Sequence, residues 1–215
     1  KAYRRHPGSL YRVFVRLGYR KKVESTKKKS KHNGHYDTPT ELGIKWQMDV
    51  KYVPYVCYVG TDGEKFYQYT MLEEASRKRF IYAYKENSSY STIDFVQRAI
   101  IFFGYAPETI QTDHGGEFTH TQKTNRVHPF DILCNKLHIT HKVLRPRTPW
   151  HNGKVERSHR NDQERFYNHL SFYSYDDLQV QMKRYLYRSN NIPMSVLGWK
   201  TPNQKQYELE NANYI

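Results

Sequence analysis

"IKWQMDVKYVPYVCYVG", Ile44 to Gly60, alternates polar and apolar side chains and is rich in Val and Tyr. That is the chemistry of a β-strand with one face on a core. Asp62-Gly63 follows as a hairpin signal, and "KFYQYTMLEE" resumes the strand pattern from Lys65. "RFIYAYKE", from Arg79, supplies a third strand after a short turn. Three consecutive strands joined by short connections form an antiparallel meander.

Beyond the meander the period changes to that of a helix. Ser91 and Asp94 have capping-box spacing, Ile93, Val96, Ile100 and Phe103 form one stripe, and Gly104 suits the stop. "PETIQT" and "ITHKVLRP" then read as short strands, separated by a loop and a helix around Phe130 to Leu137. Strand and helix alternating after a meander predict an α/β domain, a mixed sheet flanked by helices. From Thr148 the pattern is helical again. Between Val155 and Phe166 the segment "ERSHRNDQER" holds no aliphatic residue and no Phe, Tyr or Trp, so packing of an apolar stripe cannot account for this helix. A last helix is capped by Ser174 and Asp177, turns Leu178, Met182, Tyr185 and Leu186 inward, and ends before Pro193. Most of the 20 tyrosines, Tyr67, Tyr69, Tyr82 and Tyr84 among them, alternate on strands and read as core or sheet surface, not as stacking platforms.

The net charge is +14, and its placement matters more than its size. Residues 1–31 carry 12 Lys and Arg against the single acid Glu24, whereas the rest of the chain is nearly balanced. A basic arm on a near-neutral body is the electrostatic footprint of a polyanion binder, usually of nucleic acid; a solubilising tail is the alternative. Within the arm, Leu10, Phe14 and Leu17 lie at helical spacing before Gly18. They form either the last helix of a DNA-binding domain or a lone amphipathic helix. "KKVESTKKKSKHNGHYD" reads as a linker, and its His32 and His35 lack the cysteine pair of a zinc site. The expected division is a basic helix and linker over 1–37, a core over 38–172 and a C-terminal helix and tail over 173–215. A chain that begins with Lys1 reads as part of a longer protein. Cys57 and Cys134 are far apart and form no Cys-x-x-Cys, which favours a reducing, intracellular setting over a disulfide framework. No apolar run approaches the roughly 20 residues that span a bilayer, so no membrane partner is expected.

Three acids sit where burial would not put them. Asp49 lies inside the first strand between Met48 and Val50, Asp113 ends the fourth in "IQTDHGGEFT", and Glu156 opens the polar helix. A carboxylate in a half-buried strand costs several kcal/mol unless it is paired or metal-bound. Mg²⁺ and Mn²⁺ prefer hard oxygen ligands, and two such ions about 3.5–4 Å apart can activate an attacking oxygen and stabilise a leaving one in phosphoryl transfer. One acid from the sheet centre, one from a strand end and one from a helix can meet at a single point, with Gly115 and Gly116 leaving room for a backbone to approach. Each acid alone also has a bland surface reading. Glu117, Asp94 and Asp131 read as caps or solvated groups, and Glu73 and Glu74 as a charged edge.

"WQMDVKYV", "IQTDHGGEFT" and "PWHNGKVERSHRNDQERF" together resemble the three blocks of the DDE transposase and retroviral-type integrase catalytic core, most closely bacterial insertion-sequence transposases. The likeness covers residues 40–205, including "NIPMSVLGWKTP". It implies a ribonuclease H-like fold, a five-stranded mixed sheet whose first three strands are antiparallel. Residue by residue it makes Asp49, Asp113 and Glu156 the catalytic, metal-binding acids, with two Mg²⁺ (or Mn²⁺) ions. It further implies hydrolysis at a transposon end, attack of the freed 3′-OH on target DNA, and a homo-oligomer, dimer or higher, working on DNA in a bacterial cytoplasm. The 42 residues between Asp113 and Glu156 exceed the spacing of many relatives, and His114 stands where Asn is common.

On the polar helix Asn152, Glu156, Arg160 and Gln163 share a side. Gln163 occupies a position where many relatives carry a cation, so Arg160 or Lys154 takes that role. Asn152, Lys154, Arg157 and Arg160, with Arg145 and Arg147 before them and Lys27, Lys28, Lys29 and Lys31 on the arm, are the candidate DNA contacts; Arg145 and Arg147 also read as plain solvated charges. Two rival functions stand beside the first: a DNA-binding relative without chemistry, and a ribonuclease H-like nuclease that only hydrolyses.

Overall fold

A computed structural model describes residues 7–19, 38–60, 63–144 and 152–212. The chain divides into two compact units, Lys1–His35 and Tyr36–Ile215. In the first, α1 (Pro7–Arg16) forms over the expected segment and Gly18 follows in the left-handed region at φ 75°.

The second unit is built on five strands, β1 (Lys45–Tyr52), β2 (Tyr67–Glu73), β3 (Arg79–Tyr84), β4 (Thr109–Thr112) and β5 (Thr140–Val143), in the order β3-β2-β1-β4-β5. β1, β2 and β3 pair antiparallel, and β4 and β5 add in parallel, so the expected meander and mixed sheet are both present. The connections are α2 (Ser89–Phe103) and α3 (Pro129–Lys136); α4 (Gly153–Arg165), α5 (Tyr175–Asn190) and α6 (Pro202–Asn211) follow.

Two local expectations need correcting. The first strand is shorter than its pattern: β1 ends at Tyr52, which pairs with Tyr67, Pro54 leads into a 3₁₀ turn at Tyr55–Cys57, and Asp62 of the expected hairpin signal lies outside the described residues. Pro54 brings no N–H to a ladder, so the strand stops there. The cap of α2 is Ser88, whose side chain accepts from Ser91 N–H at 3.2 Å, one turn ahead of the expected box. Asp94 instead accepts from Tyr84 and Arg98, each at 2.6 Å.

The two faces of the sheet differ in chemistry. On one, Trp46, Met48, Tyr69, Met71 and Ile110 pack under Phe95, Val96, Ala99 and Phe103 of α2 and Phe130 and Leu133 of α3. Each of the larger aliphatic and Phe side chains among them contributes about 1.5–3 kcal/mol by burial. On the other, α5 sets Leu178, Met182, Tyr185 and Leu186 against Ile81, Ala83 and the loop residues Cys57, Phe66 and Phe172. Toward the sheet centre that second face turns polar: Gln47, Gln68, Thr70 and Gln111 are all fully buried.

α4 lies over this polar strip, against β1 and β2. Its buried positions are Val155, Ser158 and Asp162. Asp162 faces Arg79 at 2.6 Å and accepts from Gln68 at 2.8 Å and Tyr185 at 2.9 Å, while Tyr167 donates to Gln68. A helix without an apolar stripe is thus held by a buried ion pair and hydrogen-bond network in a low-dielectric interior, where each hydrogen bond is stronger than in water.

Candidate active site

Asp49 points from β1 into the polar face, its side chain 17 % exposed. The β1–β4 register pairs Lys45 with Thr109 and Gln47 with Gln111, and carried two residues further it sets Asp49 level with Asp113. Asp113 is the first residue past β4, exposed, with its Oδ1 accepting the Gly115 N–H at 2.9 Å. Glu156 stands exposed in the first turn of α4, where the positive end of the helix dipole favours an anion.

Burial, and then the negative charge of Asp113, push the Asp49 carboxyl up to about 7; Glu156 and Glu117 act in the same direction, against the Val50 N–H that donates to Oδ1 at 2.9 Å. Asp49 therefore lies within reach of the charge of both other acids. Among the described residues, no three His, Cys, Asp or Glu side chains are drawn together closely enough to cage a metal ion as they stand. The donor set nevertheless suits a hard divalent cation: all carboxylate oxygen, with one member whose proton affinity is raised by burial and then by the neighbouring carboxylates.

Beneath Asp113, the Thr112 hydroxyl donates to the Asp113 carbonyl at 2.9 Å and meets His141 Nε2 at 2.8 Å, and His141 Nδ1 meets Asp131 at 2.5 Å. Asp131, read as a cap or surface acid, is thus tied to the strand end. Gly115 does leave space, and that space holds the Glu117 carboxyl, 2.6 Å from where a Cβ would sit. One turn along α4 from Glu156, His159 places Nδ1 3.4 Å from Asp49 Oδ2 and Nε2 3.0 Å from Thr70 Oγ1. Burial pulls its imidazole down to about 4, so it faces Asp49 as a neutral ring.

The candidate DNA contacts separate. Arg157 and Arg160 are exposed on the solvent side of α4. Asn152 is buried, and Lys154 binds Glu74 and donates to Thr38 at 3.0 Å, with burial drawing its ammonium down to about 8. Lys27, Lys28, Lys29, Lys31, Arg145 and Arg147 lie outside the described residues. Glu73 and Glu74 are not a charged edge: both are fully buried, Glu74 beside Gln47, Lys45 and Lys154. Gln47, Glu74 and His159 are the site residues that sequence reasoning missed. The available signal was the joint polarity of Gln47-Asp49-Lys51 and Gln68-Thr70 on alternate strand positions, facing a helix with nothing apolar to offer.

Two models described as "Integrase core domain" match this chain, over residues 39–149 and 137–202. A protein of Spiroplasma virus SpV1-C74 named "Putative integrase ORF3" is 29 % identical over 183 residues, covering 81 % of this chain and 49 % of its own length. The chain thus spans about half of that relative. Among solved structures, the simian T-cell lymphotropic virus intasome in complex with the PP2A regulatory subunit B56 gamma aligns at TM-score 0.61 with 20 % identity, over 81 % of this chain and 58 % of that one. The magnesium complex of the HTLV-2 integrase catalytic core domain aligns at 0.57 with 21 % identity, over 77 % and 97 %. The sheet order, its flanking helices and these alignments give the ribonuclease H-like fold, and with the matched models they place the chain in the integrase core domain family.

Proposed function

We propose that this chain is the catalytic core of a metal-dependent DNA transposase or integrase that frees a 3′-OH at an element end and joins it to target DNA. The observation that carries this is the gathering of three acids from separate elements: Asp49 on β1 level with Asp113 past β4, and Glu156 on the helix packed over β1, with Asp113 and Glu156 both raising the Asp49 carboxyl. Asp49, Asp113 and Glu156 would hold two Mg²⁺ or Mn²⁺ ions, which when bound supply an activated attacking oxygen and a stabilised leaving oxygen. The HTLV-2 relative is itself a magnesium complex.

In the first step water attacks phosphorus, the P–O3′ bond breaks, and the element end leaves with its 3′-OH. In the second, that hydroxyl attacks a target phosphodiester, one P–O bond forms as one breaks, and a target 3′-OH departs. His159, neutral, lies 3.4 Å from Asp49 and so does not compete there as a cation. Arg157 and Arg160 sit on the open side of α4, where they can anchor phosphates flanking the scissile one. We infer a dimer or higher assembly on DNA, in a bacterial cytoplasm, with the basic arm gripping phosphates nonspecifically.

The test incubates full-length protein with pre-cut labelled ends, target DNA and Mg²⁺, comparing wild type with Asp49→Asn, Asp113→Asn and Glu156→Gln. Joined products lost in every variant are expected. Hydrolysis without joining in the wild type points to a nuclease, binding without either reaction to an inactive relative, and full joining by one variant removes that residue from the site.

A further inference from the structure

We propose that Glu74, acting with Gln47, is a positioning residue that fixes the first turn of α4 and thereby aims Glu156; this rests on the reading of Glu156 as the third acid. Glu74 follows β2 and is fully buried, where an unmet carboxylate would cost several kcal/mol. Its Oε1 accepts from Gln47 Nε2 at 2.8 Å and faces Lys45 Nζ at 3.2 Å, and its Oε2 binds Lys154 Nζ. Gln47 turns its own Oε1 to the Val155 N–H at 3.1 Å, one of the amides that the start of a helix leaves unpaired. Two successive residues of α4, Lys154 and Val155, are therefore tethered through one buried carboxylate immediately before Glu156.

The tether is anchored to the strand that carries the first acid. Gln47 is two residues from Asp49 on the same face of β1, and the Glu74 N–H donates to the Lys45 carbonyl at 3.2 Å. β1 thus sets both Asp49 and, through Gln47 and Glu74, the approach of α4. Misplacing a reacting group by about 1 Å can cost on the order of 100-fold in rate, so such a clamp has a catalytic consequence without touching substrate.

Hydrogen–deuterium exchange on the metal-free, DNA-free protein tests it, with Glu74→Gln and Gln47→Ala as variants. Each is expected to raise exchange over residues 153–158 by about tenfold or more while leaving α2 as in wild type. In the presence of DNA, affinity for the ends should hold within about twofold and strand transfer should fall by roughly 10- to 100-fold. Unchanged exchange at the start of α4 in both variants overturns the clamp. So does exchange raised equally in α2, which would make Glu74 a general core support, and so does a loosened α4 that still joins ends at the wild-type rate. A wild-type protein without strand transfer would sink only the functional reading, because the exchange comparison still judges the clamp.

Discussion

Asp49 carries a stability cost that its burial beside other acids imposes. Its carboxyl titrates near 7 in the folded chain against an ordinary value of 3.8. Between those values the folded state keeps a proton that the unfolded state has released, so stability is lost as pH rises from about 4 to about 7 and stays lost above. Metal-free Asp49→Asn should therefore be more stable than wild type at pH 8, by on the order of 2 kcal/mol in chemical denaturation, with the gap closing toward pH 4; a lower unfolding free energy at pH 8 would contradict this. Glu73, also pushed up to about 7 by burial, adds a second loss of the same sign that Asp49→Asn leaves in place. Asp49 stood out in the sequence because a charge inside a strand is anomalous, whereas Asp113 and Glu156 stood out only together with it. Glu74 was not, since two consecutive acids after a strand look the same whether they face water or lysines beneath a helix.

Among the elements, α4 shows what a sequence pattern can and cannot say. The absence of an apolar stripe was plain, and it correctly announced that something besides core packing holds the helix. Its partners were not readable, because Gln68, Arg79 and Tyr185 are brought to Asp162 only by the fold. Breaking this network from one side, as in Asp162→Ala, leaves Arg79 buried and uncompensated and should cost about 3–5 kcal/mol in chemical denaturation. Arg157→Ala and Arg160→Ala, on the exposed side of the same helix, should change stability by less than about 0.5 kcal/mol and yet weaken binding to element ends. Equal destabilisation by both kinds of change would mean that the polar strip is not what holds α4. α5 was legible down to its cap and inward residues because it follows the apolar period that α4 lacks. α6 went unread: its capping box of Thr201 and Gln204 precedes a segment with almost no apolar stripe.

For the whole molecule, an acidic cluster on a nearly balanced body is joined in sequence to a strongly basic arm. Neutralising Lys27, Lys28 and Lys29 should weaken DNA binding and flatten the slope of log affinity against log salt by about 0.9 for each phosphate that the arm ceases to neutralise; an unchanged slope would reduce the arm to a solubilising tail. The meander and the mixed sheet were readable from the alternation of strand and helix, whereas the 42-residue span from Asp113 to Glu156 hid how the last acid returns to the first. The claim on which the whole account depends is that Asp49, Asp113 and Glu156 act as one divalent-cation site. Its most direct test is Mn²⁺ occupancy, read by electron paramagnetic resonance of free Mn²⁺, in complexes of the protein with a pre-cut element end. Wild type should take up Mn²⁺ and each of Asp49→Asn, Asp113→Asn and Glu156→Gln should lose most of that uptake, whereas wild-type occupancy in any one of them would contradict a shared site.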